Sequence, residues 1–413
     1  MYSWPEVYLP KLSNHFFVPE LSLFNSSTQK IEKLEKKELY RMYVCGITPY
    51  DATHLGHAAT YLTFDLINRY LRATGARVDF VENITDIDDP LLERATRDGV
   101  TWQKLAQSQI ELFRGDMTDL HILPPKSYVG VVEAMELVVD AVEKLRDADT
   151  TYLVDSDIYF KVRSDSEFGS RSHLSQDQML EIFSERGGDP ARTGKLDPLD
   201  ALVWLSQREG EPGWPSPFGS GRPGWHIECC AIALHYLQPD PGDEFAIDIQ
   251  GGGSDLIFPH HEMSAIQSRA MSGQRFARTY VHTGMIGLDG EKMSKSIGNL
   301  VFVSKLIESG VNPMSIRWAL MGHSYSADLM WSDSILARAE EEIARLQLNL
   351  AKMEVSPTDS VITAVIQDLS NNLDTASALN HLRAWMDATE SGQTGGEAGE
   401  LTRCLDTLLG ISL

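Results

Sequence analysis

The chain is poor in cysteine, with four among 413 residues, at positions 45, 229, 230 and 404, and it has no Cys-x-x-Cys pair. This speaks against a disulfide framework, and a reducing cytoplasmic compartment is expected. The first thirty residues carry Pro5, Pro10 and Pro19 among scattered polar residues, with no basic start leading into an apolar core, so no secretory signal is expected. No apolar run approaches the length that spans a bilayer, and no membrane partner is expected. Positive charge is scarce as well: 36 Lys and Arg stand against 59 Asp and Glu, a net charge of -23. A surface of that sign repels nucleic acid unless a local basic patch offsets it. There is no internal repeat, and no heptad pattern or exposed strand signal demands a second copy, so a monomer is expected. What remains is an ordinary globular composition, 42% hydrophobic and 23% charged, with a length that suits two or three domains.

Within this composition the order of elements alternates between strand and helix. Leu21 to Leu23 is a candidate strand in a lead-in that runs to about residue 40. Met42-Tyr43-Val44 reads as a short apolar strand, Cys45 to Thr53 as a loop rich in turn residues, and Ala58 to Leu71 as a helix. Val78 to Val81 is a second strand, ending in the loop Asn83 to Asp89, and helical patterning follows from Thr101 to Leu120 and from Val131 to Leu145. Tyr152 to Val154 and Ile158 to Val162 suggest a hairpin that interrupts the alternation, as an inserted subdomain would. Residues 186–224 are rich in Gly, Pro and Trp without periodicity and are expected to form an ordered active-site loop. Gly224-Trp225-His226 opens a helix, and Phe245 to Ile249 reads as a buried strand closing on Gly251-Gly252-Gly253. From Ser304 onward the chain reads as largely helical, broken by glycines between Ser391 and Gly396. Cys404 shares an apolar helical face with Leu401, Leu405 and Leu408 and is assigned to the core.

Two short segments carry phosphate chemistry. His54-Leu55-Gly56-His57 places two histidines three apart at the start of a helix, on one face, beside the amide donors of the helix N-terminus. Lys292-Met293-Ser294-Lys295-Ser296 supplies two cations far along the chain. Attack of a carboxylate on the α-phosphorus of ATP requires the phosphate charge to be held by positioned donors and cations. Either segment alone is more often incidental or a solvated loop; both together, at opposite ends of an α/β pattern, specify adenylation far more sharply.

Cys45, Cys229 and His260 lie far apart in sequence, yet each falls at a strand end or a helix start. Such positions converge on one edge of a parallel sheet, where two thiolates and an imidazole can hold zinc with a fourth position open to a substrate thiolate. The residues alone leave alternatives: Cys45 and Cys229 as core packing, and His261 or Cys230 in place of its neighbour.

The segments Cys45 to His57, Asn83 to Asp89, Glu185 to Pro190, Pro223 to Cys229, Gly251 to Glu262 and Lys292 to Asn299 resemble cysteinyl-tRNA synthetase. The likeness is greater still to its shortened relative, the ligase of mycothiol biosynthesis that joins cysteine to glucosaminyl-inositol. The resemblance spans about residues 40–335. It implies a class I synthetase-type, Rossmann-like doubly wound parallel α/β sheet with an inserted α+β subdomain and a C-terminal helical bundle. The expected divisions are 1–125 and 216–310 for the two halves of the nucleotide-binding domain, 126–215 for the insert, 311–345 for a stem-contact region and 346–413 for a short helical domain.

The resemblance also implies roles. His54, His57, Lys292 and Lys295 would stabilise the phosphates, and Cys45, Cys229 and His260 would hold one Zn2+. Thr48, Thr85, Trp225 and Asp255 would line the amino acid, with Asp255 facing its ammonium. Thr60, Asn83, Gly253 and Ser254 would surround the adenylate with Gly46, Ile47 and Ile84 nearby, and the Ile286 backbone would meet adenine. ATP is expected to arrive with Mg2+. The synthetases have a glutamate four residues after the ligand histidine; here Ser264 stands, which leaves three protein ligands. They also read Pro-Thr-Val after the glycine, where this chain has Ile47-Thr48-Pro49, and they place an arginine where Ala59 stands.

The tail favours the ligase as well. From Glu354 to Leu413 nine acidic residues face only Arg383 and Arg403, where anticodon binding needs cations, and Leu373, Ala376, Leu379 and Leu382 recur at helical spacing as in a packing bundle. The expected substrates are therefore L-cysteine, ATP and glucosaminyl-inositol, with no tRNA. A cysteinyl-tRNA synthetase and a non-catalytic zinc or cysteine sensor are the competing readings; intact histidines and lysines count against the sensor.

Overall fold

The computed structural model describes residues 1–288, 290–293 and 298–413. The lead-in folds as a hairpin of β1 (Ser22–Asn25) and β2 (Lys30–Lys33). Next comes β3 (Leu39–Val44), whose Met42, Tyr43 and Val44 are wholly buried. Helix α1 (Leu55–Ala73) crosses from β3 to β4 (Arg77–Ile84), which pairs with it in parallel. Two helices, α2 (Asp89–Asp98) and α3 (Trp102–Asp119), then cross to a parallel β5 (Ser127–Gly130). The short α2 buries Leu91 and Ala95, one turn apart; Asp88 caps its start, Pro90 sits in its first turn and Gly99 ends it at φ 66.

Helix α4 (Met135–Asp147) leads out to the insert, where β6 (Thr151–Val154), β7 (Asp157–Phe160), β8 (Ala201–Ser206) and β9 (Gly221–Pro223) pair antiparallel in that order, with α5 (Gln176–Glu185) between β7 and β8. The stretch over 186–224, expected to be an ordered loop, is ordered but includes two strands. Ala201 to Ser206 is a strand hidden between turn-rich flanks, and Gly221 to Pro223 is a strand only through its pairing to β8. The insert's sheet also runs past the expected boundary at 215.

Helix α6 (Trp225–Leu237) returns to the main sheet, where β10 (Phe245–Gly253) pairs with the other side of β3. After α7 (Glu262–Ser272), β11 (Arg275–Thr283) completes a five-stranded parallel sheet ordered β11-β10-β3-β4-β5. The three glycines expected to follow the strand are its last residues. The order reverses between β3 and β10, and in such sheets the carboxyl ends at the reversal open a crevice for ligands.

A three-stranded ribbon of β12 (Ile286–Leu288), β13 (Glu291–Lys292) and β14 (Leu329–Trp331) follows, with α8 (Val303–Glu308) and α9 (Pro313–Leu320) between its strands. The remainder is helical: α10 (Asp333–Leu350), α11 (Asp359–Ser370), α12 (Thr375–Glu390) and α13 (Ala398–Cys404), the last continuing as a helical turn to Leu409. Cys404 is fully buried there, as expected. Among the described residues no helix is long and apolar enough to cross a membrane.

One core lies on the α1 face of the sheet and is continuous with the C-terminal helices; the other lies on the α6 and α7 face and is continuous with the insert, through Phe160, Val162, Phe183 and Trp204. A fully buried ionic cluster ties the C-terminal helices to α1. Asp65 accepts from Arg69 Nε at 2.8 Å, from Arg317, and from the Leu123 amide at 2.8 Å. The guanidiniums spend their other donors on the carbonyls of Asp406, His121, Leu409 and Leu120. Burial opposes ionisation of Asp65, but Arg317 and Arg69 outweigh it and hold its carboxyl below the usual range.

Candidate active site

A cleft of about 570 Å³ opens at the carboxyl ends of β3 and β10. Its wall includes Cys45, Gly46, Ile47, Thr48, His54, His57, Thr60, Trp225, Gly253, Asp255 and Ile286, eleven of the residues expected from sequence. Tyr50, Tyr61, Leu256, Thr283, Met293 and Leu300 also line it and went unassigned from sequence. Of these, Tyr61 had a signal, since it lies one turn after His57 on the same helix; its hydroxyl donates to the Cys45 carbonyl at 3.1 Å.

The loop after β3 is set by Asn83 at the end of β4. The Asn83 Oδ1 accepts from the Gly46 amide at 2.9 Å and the Tyr43 hydroxyl at 2.9 Å, while Thr85 donates its amide to the Ile47 carbonyl at 3.1 Å. The chains approach so closely that a Cβ on Gly46 would fall 1.5 Å from the Asn83 carbonyl oxygen. Asn83 and Thr85 therefore lie behind the wall rather than on it. Ile84 is fully buried in the core, and Ser254 lies in the short turn after β10.

At the other wall His54 caps α1, its Nδ1 accepting from the Gly56 amide at 3.1 Å, and its ring stacks on His57 with centroids 3.7 Å apart. Both imidazoles thus stand at a helix N-terminus, where amide donors and the helix dipole favour phosphate. Residues 53–55 are laced to 301–303: the Leu55 amide donates to the Val301 carbonyl and the Val303 amide to the Thr53 carbonyl. The stretch that follows the second phosphate signature is thereby fixed to the first. Lys292 contributes its backbone to β13; its side chain and Lys295 lie outside the described residues.

At the floor, ligand atoms of Cys45, Cys229 and His260 lie within 4.8 Å of one another, and all three residues are buried. The alternatives left open by sequence separate here. The Cys230 thiol turns to the His226 and Ile227 carbonyls of its own helix, and His261 meets Cys45 Sγ from outside the trio. Ser264, fully buried, donates to the His226 carbonyl at 3.2 Å. Burial opposes both thiolates. For Cys229 it is outweighed by Cys45 and His260, which hold it well below the usual thiol range; Cys45, facing that thiolate, is pushed well above. Two thiolates can coexist here only with a cation between them, so the donor set fits Zn2+.

Further contacts hold the floor in place. The His260 Nδ1 lies 3.1 Å from His226 Nδ1, and its ring stacks on Trp225 at 4.3 Å. Glu262, fully buried, accepts from the amides of Gly169, Arg171 and Ser172 and from Arg171 Nη1 at 3.0 Å, clasping the insert to the start of α7. Arg186 donates to the carbonyls of Asp255 and Phe258, which explains why Glu185 to Pro190 belongs to the site although it lines no wall. Burial pushes Asp86 and Asp88 up to about 6 and Glu228 well above its usual range. Nothing in sequence marked Asp86 and Glu228 as buried.

Residues 30–341 match the family of class I (C) tRNA synthetase catalytic domains. In solved structures the fold recurs in Mycobacterium tuberculosis methionyl-tRNA synthetase in complex with methionyl-adenylate, at TM-score 0.62 and 18% identity, covering 91% of this chain and 89% of that one. It recurs also in an Agrobacterium radiobacter LeuRS bound to tRNA and LeuAMS, at TM-score 0.61 and 12% identity, covering 90% and 83%. The chain is thus a class I synthetase-type protein. More particularly, it is 50% identical to the L-cysteine:1D-myo-inositol 2-amino-2-deoxy-alpha-D-glucopyranoside ligase of Gordonia bronchialis, over 100% of this chain and 99% of the relative. It is 53% identical to the ligase of the same name from Kribbella flavida over 90% of each chain. The chain belongs to this ligase family.

Proposed function

We propose that the protein joins L-cysteine to the amine of glucosaminyl-inositol in mycothiol biosynthesis, through a cysteinyl-AMP intermediate. The observation that carries this reading is the thiol and imidazole trio at the floor of the phosphate-handling cleft; the names of full-length relatives at 50% identity support the choice of acceptor. Zinc held by Cys45, Cys229 and His260 would supply a Lewis acid that favours a substrate thiolate over the hydroxyl of serine. Asp255 on the wall offers a carboxylate to the substrate ammonium, and Trp225 closes the side toward His260. His54 and His57, with the amides of α1, hold the phosphates while the cysteine carboxylate attacks the α-phosphorus and pyrophosphate leaves. Lys292 and Lys295 are assigned to the same charge, and Mg2+ arrives with ATP. The sugar amine then attacks the adenylate carbonyl, the C–N bond forms, the amine gives up a proton and AMP departs.

The C-terminal helices support an acceptor other than tRNA. Three of their arginines are spent on neighbouring acids: Arg383 on Glu342 at 2.8 Å, Arg345 on Glu390 at 2.6 Å and on Asp387, and Arg403 on Glu400 at 3.5 Å. The test supplies purified protein with ATP, cysteine and either glucosaminyl-inositol or tRNA and follows AMP release. Release with the amino sugar is expected; release with tRNA alone would establish a synthetase, and no cysteine-dependent pyrophosphate exchange with either would favour the sensor.

A further inference from the structure

Behind Cys45 a row of side chains runs away from the cleft that neither the phosphate chemistry nor the ligand trio uses. Cys45 Sγ lies 3.2 Å from His261 Nε2, His261 Nδ1 lies 2.7 Å from His282 Nε2, and His282 Nδ1 lies 2.6 Å from Ser26 Oγ. All four residues are buried, with exposures of 2–8%. Ser26 follows β1 and precedes residues 30–341, so it stands outside the matched synthetase domain. Its amide donates to the Tyr280 carbonyl at 3.0 Å, and Asn25 donates to the Arg278 carbonyl and accepts from the Tyr280 amide. The hairpin is thereby fastened along β11, with Ser26 opposite His282.

With both rings neutral, one arrangement of protons satisfies this row when Cys45 is a thiolate ligand. A thiolate accepts and cannot donate, so His261 Nε2 must carry a hydrogen. A neutral imidazole then has a lone pair at Nδ1, which needs the N–H of His282 Nε2; His282 Nδ1 in turn takes the hydroxyl hydrogen of Ser26. The Tyr280 carbonyl, also within reach of that hydroxyl at 3.1 Å, keeps the Ser26 amide instead.

We propose that Ser26, His282 and His261 form a one-way hydrogen-bond chain that presents an N–H to the Cys45 sulfur. These are positioning residues for the metal centre: the chain withdraws charge from one ligand thiolate and keeps His261 a donor instead of a competing ligand. With zinc bound, the chain would lower the anionic charge that the substrate thiolate meets at Cys45, Cys229 and His260. Partners of this kind change metal affinity or activity by about 10- to 100-fold when removed. The inference rests on the zinc reading given above.

The test uses the full chain loaded with Co2+ in place of zinc, with wild type, His282→Phe, His282→Gln and Ser26→Ala compared. The thiolate-to-cobalt absorption band is recorded before and after cysteine is added, and KM and kcat are measured by pyrophosphate exchange. His282→Phe is expected to shift the band and raise the KM for cysteine about 10-fold or more while the KM for ATP stays put. Most of that loss is expected to return in His282→Gln, whose amide N–H can take the place of Nε2, and Ser26→Ala is expected to fall between. A band and KM unchanged in both His282→Phe and Ser26→Ala would overturn the chain, as would equal impairment of the Phe and Gln variants, which marks a packing role. Should His282→Phe fail to fold, Ser26→Ala and His282→Gln carry the comparison. A wild-type protein with no thiolate-to-cobalt band would instead overturn the zinc reading itself.

Discussion

Two buried polar clusters flank the same sheet and are built on opposite principles. The Asp65, Arg69 and Arg317 cluster brings its own counter-charges: Asp65 faces both guanidiniums, Asp406 lies 3.6 Å from Arg69, and the remaining donors end on backbone carbonyls. The Cys45, Cys229 and His260 cluster brings two thiols to one imidazole, and among the described residues no Lys or Arg hydrogen-bonds either thiol. The first is complete as a protein structure and serves stability. The second is balanced only by a bound cation, which marks it as the place where chemistry enters. Buried charge is thus informative less by its presence than by whether the protein itself neutralises it.

The comparison breaks most visibly at the thiols. Cys229→Ala is expected to lose bound zinc and cysteine-dependent pyrophosphate exchange together while the thermal transition of the C-terminal helices stays close to wild type; a variant that kept its zinc and its rate would refute the ligand assignment. Arg317→Met addresses the other cluster. Leaving Asp65 half-paired is expected to cost about 3–5 kcal/mol in a urea unfolding series, with zinc content unchanged; a loss under 1 kcal/mol would show that the cluster does not hold the C-terminal helices to α1.

Glu262→Gln lies between the two cases, since the residue stabilises the insert and also begins the helix that follows His260. It is expected to cost about 1–3 kcal/mol and to raise the KM for cysteine more than that for ATP; an effect on stability alone would confine Glu262 to the fold.

The smallest effect concerns pH. Asp86 and Asp88 titrate near 6 when folded, above the ordinary 3.8, so the folded state holds their protons longer and stability falls as pH rises from about 4 through 6. Asp65 has the opposite sign: its depressed carboxyl contributes fully above 3.8 and loses that contribution only as pH falls further, through its lower folded value. Asp86→Asn is therefore expected to flatten the decline in stability between pH 4.5 and 7 by about 1 kcal/mol, measured by urea midpoints, and an unchanged slope would contradict the burial argument for that carboxyl.

Much of the site was legible in the sequence because its chemistry is carried by residue types with few other uses in such places. The histidines of α1 and the cysteine after β3 announced themselves through their position between strand and helix. The insert was harder to read. β8 and β9 are strands through pairing to partners forty or more residues away or across a turn-rich excursion, which local pattern does not reveal. Burial of Asp86 and Glu228 was equally invisible, since acidic side chains normally face water. The pairing of His261 with His282 joins residues on α7's entry and on β11, and only the fold brings them within 2.7 Å. Ser26 is further still from any motif. Roles that depend on which face of a strand a residue occupies emerge only with the register.

The most direct test of the account is the zinc content of the purified protein measured alongside its pyrophosphate exchange with cysteine and with serine. One zinc per chain is expected, with exchange supported by cysteine, not by serine, and lost when the metal is removed. Exchange that proceeds without zinc, or that accepts serine as readily as cysteine, would contradict the claim that the Cys45, Cys229 and His260 centre selects the substrate.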